Sequence, residues 1–311
     1  MIVALAGGVG GAKLAEGLAG LIGSKLTVIV NTADDFEHLG LPISPDLDTV
    51  MYTLAGIANR ETGWGIAGET WSFLDQVVRL GGPSWFRLGD RDLATHALRA
   101  VALRSGQNLT TATADLCRRL GIAARVLPMS DDAVRTIVHT AEGDLPFQEY
   151  FVARKCDVAV SGFEFAGVER ARPTEAVIEA LRDDKLEAIV FCPSNPFVSI
   201  DPILSLPGLR ALIVDAGVPV VAVSPIIAGA AVKGPAAKMM RELGLAPTPV
   251  TVARHYRGVV TGFVMDKADA SFSALVEAQG MAVRVTDALM RDEADRRRLA
   301  QQCLDFARSL A

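Results

Sequence analysis

A chain of 311 residues that is 50% hydrophobic and 22% charged can bury a large core, in one or two packed domains and without disorder. Its formal net charge of −5 argues against a general nucleic-acid binder, which shows a basic domain or stripe. The four cysteines, Cys117, Cys156, Cys192 and Cys303, form no CxxC pair, so neither a zinc site nor a disulfide framework is expected, and a reducing cytoplasm fits best.

The N-terminus, MIVALAGGVGGAKLAEGL, lacks the positive start and long apolar core of a signal peptide, and IVALA reads as a first buried strand. No later apolar run reaches the roughly 18 to 20 residues that span a bilayer, so no membrane partner is expected. After the strand at 2–6 come a glycine turn and a helix carrying Leu14, Leu18, Leu21 and Ile22 on one face. A second strand, LTVIV, follows at 26–30. This βαβ opening sets the turn at the carboxyl edge of a parallel sheet, where ligands bind.

From about 44 to 120 the pattern is helical, with a tryptophan segment, GWGIAGETWSF, and amphipathic stretches near 91–104 and 108–120. Short β signals follow at 122–127, 134–140 and 147–153, the last two read as a hairpin across AEGDLP. Buried-strand candidates then recur at 157–161, 187–191, 219–223 and 281–285, and a helix closes the chain after residue 291. The expected architecture is a single α/β domain over 1–311: a doubly wound, mainly parallel sheet whose ligand edge is capped by a helical and β insertion over approximately 60–155.

The turn AGGVGGAKL, at 6–14, satisfies neither familiar phosphate signature. Ala12 replaces the second glycine of a P-loop and Leu14 removes the magnesium-binding hydroxyl, while Lys13 breaks a dinucleotide fingerprint begun at Gly8 and Gly10. What remains is general: glycines let backbone N–H groups approach an anion, and a helix N-terminus favours negative charge. A phosphate contact is therefore expected here, against the alternative of a tight turn with no ligand.

NTADDFEHLGLPISPDLDTVMYTLAG, at 31–56, is unusually acidic. Ser44 is placed to cap a helix with Pro45 at its first position and Val50, Leu54, Ile57 and Ala58 on one face. Asp46 and Asp48 then lie in the first turn, where each interacts with the helix dipole by about 0.3–1 kcal/mol. One aspartate needs no further reason. Two, preceded by Asp34, Asp35 and Glu37, concentrate more like charge than capping requires, and a cation or donor-rich ligand would offset the repulsion. Magnesium suits such hard oxygen ligands. A decorated helix start stands beside the working site as the alternative.

Three further segments carry candidate groups. Arg87, in PSWFRLGDRDLATHALR, can hold a phosphate or stack on a flat ring, or make only a surface ion pair; His96, inside the following helix, reads as a packing residue. In AIVFCPSNPFVSIDP two prolines fix a turn around Ser194 and Asn195 at the end of a buried strand. In PVVAVSPIIAGAAVKGPAAKMM a strand is followed by Ser224 and then by Lys233 beside a helix start. Three such turns converging on one sheet edge point to a nucleotide or diphosphate ligand.

Seven motifs in order also resemble a known family, the 2-phospho-L-lactate transferases of deazaflavin coenzyme F420 biosynthesis. They are AGGVGGAKLAEGL, VNTADDFEHLGLPISPDLDTVMYTLAG, ETGWGIAGETW, RLGDRDLATH, VLPMSDDAVRT, CPSNPFVSIDPIL and VSPIIAGAAVKGPAAKMM, and the resemblance extends over nearly the whole chain. The turn Thr32-Ala33-Asp34-Asp35 has alanine where relatives often show glycine. The resemblance implies a Rossmann-like fold with an insertion, and magnesium-dependent transfer of a phosphorylated three-carbon acid from a guanosine diphosphate-linked donor. The acceptor would be the ribityl hydroxyl of the deazaflavin Fo, and GMP would leave. Carried over residue by residue, Asp48 and Arg87 would bind Fo. Gly7, Gly8, Gly10, Gly11, Lys13, Ser194, Asn195, Ser224 and Lys233 would hold the donor, and Asp46 and Asp48 would act in catalysis, as metal ligands or by orienting the hydroxyl. The acid is left open between 2-phospho-L-lactate, phosphoenolpyruvate and 3-phosphoglycerate, and a homodimer is expected because two-fold dimers are the commonest oligomers. Two other classes remain: a nucleotide-sugar-binding regulator of the same fold, and a nicotinamide-dependent dehydrogenase suggested only by the βαβ opening.

Overall fold

The computed structural model describes residues 1–311. Seven parallel strands form its central sheet: β1 (Ile2–Ala6), β2 (Leu26–Val30), β3 (Arg125–Pro128), β4 (Ala188–Phe191), β5 (Val220–Val223), β6 (Gly262–Asp266) and β7 (Ala282–Thr286). Their spatial order is β7-β6-β5-β4-β1-β2-β3. The chain therefore steps outward from β1 through β2 to β3, then returns to β4 on the other side of β1 and steps away again. That reversal makes the β1–β4 boundary the topological switch point of a Rossmann-like α/β fold, and a crevice opens there beyond the strands' carboxyl ends.

Both faces of the sheet are covered, which is why its strands are continuous apolar runs rather than alternating ones. Val3, Leu5, Ile29, Ile189 and Phe191 point into one core, while Ala4, Ala6, Val28, Val30 and Val190 point into the other. Against the second core pack α1 (Gly8–Ile22), α2 (Pro45–Leu54) and the closing helix α4 (Glu293–Leu310), while α3 spans Asp90–Arg104. Gly17 sits where α1 meets α4, and a methyl group there would collide with the Arg296 carbonyl. No single helix is long and apolar enough to cross a membrane.

Two pieces of chain cover the ligand edge, because β3 belongs to the central sheet and divides them. Between β2 and β3 lie a short antiparallel pair, Phe36–His38 with Leu41–Ile43, then α2, a helix at Ser72–Arg79, α3, and a helix at Leu109–Arg119. Between β3 and β4 a three-stranded antiparallel sheet is built from Gly143–Pro146, Arg135–Thr140 and Val160–Ala166.

Two strand expectations need correction. The hairpin partner of 135–140 is Gly143–Pro146, not 147–153, whose residues Glu149–Ala153 form a turn of π-helix. The apolar run at 157–161 does not enter the central sheet; its strand, Val160–Ala166, pairs antiparallel with Arg135–Thr140. The place is taken by β6, GFVMD, buried throughout. Substituting Gly17→Ala should lower stability by about 1–3 kcal/mol, the usual cost of an unaccommodated methyl group, as measured by denaturant unfolding.

Candidate active site

After β1 the chain turns through Gly7 into α1. Gly8 has φ +61°, a left-handed conformation that glycine adopts without strain. Gly7, Gly10 and Gly11 are required for space instead. A Cβ on Gly7 would lie 2.7 Å from that of Ser199, one on Gly10 would meet the Pro193 carbonyl, and one on Gly11 would meet Ser194 Oγ. Ser194 ties the turns together, donating to the Gly7 carbonyl at 2.8 Å and accepting from the Gly7 N–H at 3.0 Å. The turns after β1 and β4 are thus one packed unit at the switch point.

Asp46 faces that unit from the first turn of α2. Its Oδ1 accepts the Gly8 N–H at 2.7 Å, and its Oδ2 accepts from Asn31 Nδ2 at 3.0 Å. Asn31, directly after β2, is itself fixed: its Nδ2 also donates to the Val198 carbonyl at 3.2 Å and its Oδ1 accepts from the Ala33 N–H at 2.9 Å. A carboxylate here occupies the place that an anionic ligand takes at a helix N-terminus.

Two more carboxyl groups are buried beside it. Burial raises the pKa of Asp46 to about 6, held back by the hydrogen bonds from Asn31 and Gly8. Burial pushes Asp35 up to about 8, against the opposing effect of the Ser44 hydroxyl, which donates to Asp35 Oδ2 at 2.7 Å. Asp34 lies well above the usual carboxylate range because of burial and the nearby charge of Asp46. The Oδ1 atoms of Asp34 and Asp35 have no hydrogen-bond partner within the protein. Ser44 thus precedes α2 as expected, but its hydroxyl serves Asp35 rather than the helix backbone.

Asp48 has a different environment. Both its oxygens are taken by the guanidinium of Arg99, which is wholly buried; Nη1 reaches Oδ2 at 3.1 Å and Nη2 binds Oδ1. Arg99 also contacts His96 Nδ1 at 3.2 Å, His96 Nε2 lies 3.2 Å from Asp92, and Tyr52 donates to Asp92 at 2.6 Å. Burial acts to raise the Asp92 pKa, but the His96 and Tyr52 hydrogen bonds and the His96 and Arg99 charges outweigh it and hold it below the usual value. A continuous polar chain therefore locks α2 to α3.

The other expected groups are more dispersed. Arg87 does not meet Asp48; it is exposed and lies 4.2 Å over the Trp71 ring. Lys13 donates to the Met290 carbonyl at 3.2 Å and Lys233 to the Thr62 carbonyl at 2.6 Å. Burial lowers the Lys13 pKa, and the charges of Arg296 and Lys233 add to this, so both lysines act on one region. The Ser224 hydroxyl hydrogen-bonds only within its own turn, to the backbone of Ile226, and Asn195 Oδ1 accepts from the Phe197 N–H. No group of three or more His, Cys, Asp or Glu side chains is arranged as a metal cage. Asn31 and Arg99 went unanticipated. The rule that ligand groups follow buried strands singles out Asn31, whereas Arg99 carries no local signal.

The family model described as 2-phospho-L-lactate transferase CofD matches residues 2–304. The chain belongs to that family. It is 44% identical over 313 residues to a phosphoenolpyruvate transferase of Streptomyces griseus, covering 98% of each chain. It is 40% identical over 301 residues to a 2-phospho-L-lactate transferase of Methanosarcina acetivorans, covering 96% of this chain and 97% of that one. Its fold is similar to the crystal structure of a UPF0052 family protein from Bacillus halodurans, with a TM-score of 0.63, 16% identity, and coverage of 97% and 98%. This member of the 2-phospho-L-lactate transferase family is accordingly a transferase enzyme.

Removing one partner of a buried ion pair leaves the other uncompensated. Arg99→Met should therefore destabilise the fold by about 3–5 kcal/mol in denaturant unfolding. Asp35 gives a pH-dependent test. Because its folded pKa is raised from 3.8 to about 8, its contribution to stability is intact below about 3.8 and is lost as pH rises through about 8. Asp35→Asn removes the titration, so the melting temperature of the variant relative to wild type should rise between pH 5 and pH 8.

Proposed function

We propose that this enzyme transfers a phosphorylated three-carbon acid from a guanosine diphosphate-linked donor to the ribityl hydroxyl of the deazaflavin Fo, releasing GMP and forming F420-0 or its dehydro or glyceryl analogue. The observation that carries this reading is the carboxylate of Asp46 on the Gly8 N–H: an anion site at a helix N-terminus, at the switch point of the sheet, faced by buried acidic groups. Relatives named for phosphoenolpyruvate and for 2-phospho-L-lactate are similarly close, so both acids, with 3-phosphoglycerate, belong to the proposal.

The donor diphosphate would take the Gly8 N–H in place of Asp46, with Lys13 and Lys233 leaving their backbone carbonyls to offset its charge. Magnesium fits the side chains present, since it is commonly bound through one or two carboxylates together with substrate phosphates. Asp46 and Asp34, whose Oδ1 is an orphaned acceptor, would hold it; Asp48 is already committed to Arg99. When bound, the ion would neutralise charge developing on the phosphate oxygens. Asp48, held by Arg99 through one bond to each oxygen, retains lone pairs that can accept the Fo hydroxyl proton in a hydrogen bond. Arg87 would approach Fo from the exposed side.

The chemistry is a single displacement. The acceptor oxygen forms a bond to the phosphorus that bears the acid, the bond from that phosphorus to the bridging oxygen breaks, and GMP leaves with the electron pair. The hydroxyl proton passes to a carboxylate of the buried cluster. Positioning and charge neutralisation supply the rate, and no covalent intermediate is needed.

Incubation with Fo, magnesium and each guanosine donor should release GMP in step with a deazaflavin product whose mass has grown by the phosphorylated acid. Asp46→Asn should lower kcat on the order of 100-fold or more, the scale of losing one group that stabilises transition-state charge. Tight binding of a UDP-sugar with no GMP release from any donor would instead support a regulator.

A further inference from the structure

The tryptophan segment between α2 and α3 begins as a tight loop beside the glycine turn. Asn59 shapes it, its Oδ1 accepting from the Glu61 N–H at 3.0 Å and the Thr62 N–H at 3.3 Å, while the Thr62 hydroxyl donates to the Trp64 carbonyl at 2.7 Å. Two glycines of this loop are left-handed, Gly63 with φ +80° and Gly65 with φ +71°, but only one of them is crowded. A Cβ on Gly65 would meet nothing within 4 Å, whereas one on Gly63 would lie 2.3 Å from Lys233 Nζ and 3.2 Å from both methyl carbons of Val9. Val9 stands between Gly8 and Gly10, so the Lys233 ammonium is lodged where the loop meets the glycine turn. Lys233 itself lies on an exposed stretch of chain, and its ammonium makes one hydrogen bond, to the Thr62 carbonyl at 2.6 Å. A single hydrogen bond at the surface adds little to stability, so the clearance kept at Gly63 needs another reason.

We infer that Thr62 and Gly63 are positioning residues for Lys233, seating its ammonium beside the glycine turn so that it is in place for the diphosphate of the donor. The inference rests on the transferase reading above, in which Lys233 exchanges the Thr62 carbonyl for a phosphate oxygen. A lysine on exposed chain samples many rotamers, and a ligand that recruits it must overcome that freedom. Here the freedom is given up in the free protein. The Thr62 carbonyl fixes the tip of the side chain, and the missing side chain at position 63 leaves the room in which that tip turns from carbonyl to phosphate. The exchange replaces a bond to a neutral oxygen by one between opposite charges, which is the stronger of the two. A side chain at position 63 would act on Lys233 before anything else, because the end of a flexible four-carbon stem gives way more readily than backbone.

The test is a double-mutant cycle read by calorimetric titration of the intact protein with GDP as the diphosphate probe, for wild type, Gly63→Ala, Lys233→Met and the double variant, with circular dichroism to confirm folding. Lys233→Met should weaken GDP binding about 10-fold or more, the scale of a hydrogen bond between charged groups. Gly63→Ala should weaken it on the order of 5-fold where Lys233 is present, the scale of one side chain set free, and by less than about 2-fold in the Lys233→Met background. Gly65→Ala carries a similar left-handed strain without touching Lys233, and should bind GDP as wild type does. Should alanine at position 63 prevent folding, Gly63→Asn repeats the cycle with a residue type that accepts left-handed backbone more readily. Unchanged GDP affinity in folded Gly63→Ala overturns the inference, as does an equal loss with and without Lys233. Protein that shows this coupling yet releases no GMP from any guanosine donor upholds the positioning role and removes the transferase reading; GMP release by wild type with no such coupling does the reverse.

Discussion

The contact between Asp46 and the Gly8 N–H joins everything that matters in this molecule. It brings the first turn of α2 against the N-terminus of α1, and it closes the crevice that the reversal of strand order opens between β1 and β4. Gly8 must be left-handed for that N–H to be presented, Gly7 must lack a side chain for the carboxylate and Ser199 to fit, and Asn31 must follow β2 to hold the second oxygen. The fold delivers these from three strand ends, the two glycines after β1, Asn31 after β2 and Ser199 after β4. A carboxylate seated on that N–H occupies the kind of position at a helix N-terminus that favours negative charge.

The neighbouring Asp48 solves a separate problem. Two aspartates in one helical turn, with Asp34 and Asp35 close by, would repel strongly if all were charged in a low-dielectric setting. The structure divides the load: Asp48 is neutralised by Arg99, while Asp34, Asp35 and Asp46 are shifted upward by burial. Upward shifts of this kind favour the protonated acids and cost stability at neutral pH, which is the expected signature of a cluster retained for binding rather than for folding.

Much of the fold is legible because buried parallel strands write themselves as short, unbroken apolar runs. IVALA, LTVIV and the runs ending at Phe191 and Val223 are of this kind. GFVMD is harder to see, since a glycine and an aspartate at its ends leave only Phe263, Val264 and Met265 as an apolar signal. The segment at 147–153 misleads in the opposite way: Phe147, Tyr150, Phe151 and Val152 favour strands by type, yet tertiary packing winds Glu149–Ala153 into a π-turn. At the site, the density of carboxylates between 34 and 48 is visible in one dimension. Which of them meets the glycine turn and which meets an arginine is not, because Arg99 lies 51 residues beyond Asp48 and looks like any other helical arginine.

Diffraction from crystals grown with manganese and a non-hydrolysable guanosine diphosphate-linked donor analogue would test the central claim most directly. The account predicts a diphosphate oxygen on the Gly8 N–H, and an anomalous manganese peak beside Asp46 and Asp34. A nucleotide bound away from the β1–β4 crevice, with Asp46 still hydrogen-bonded to Gly8, would contradict it.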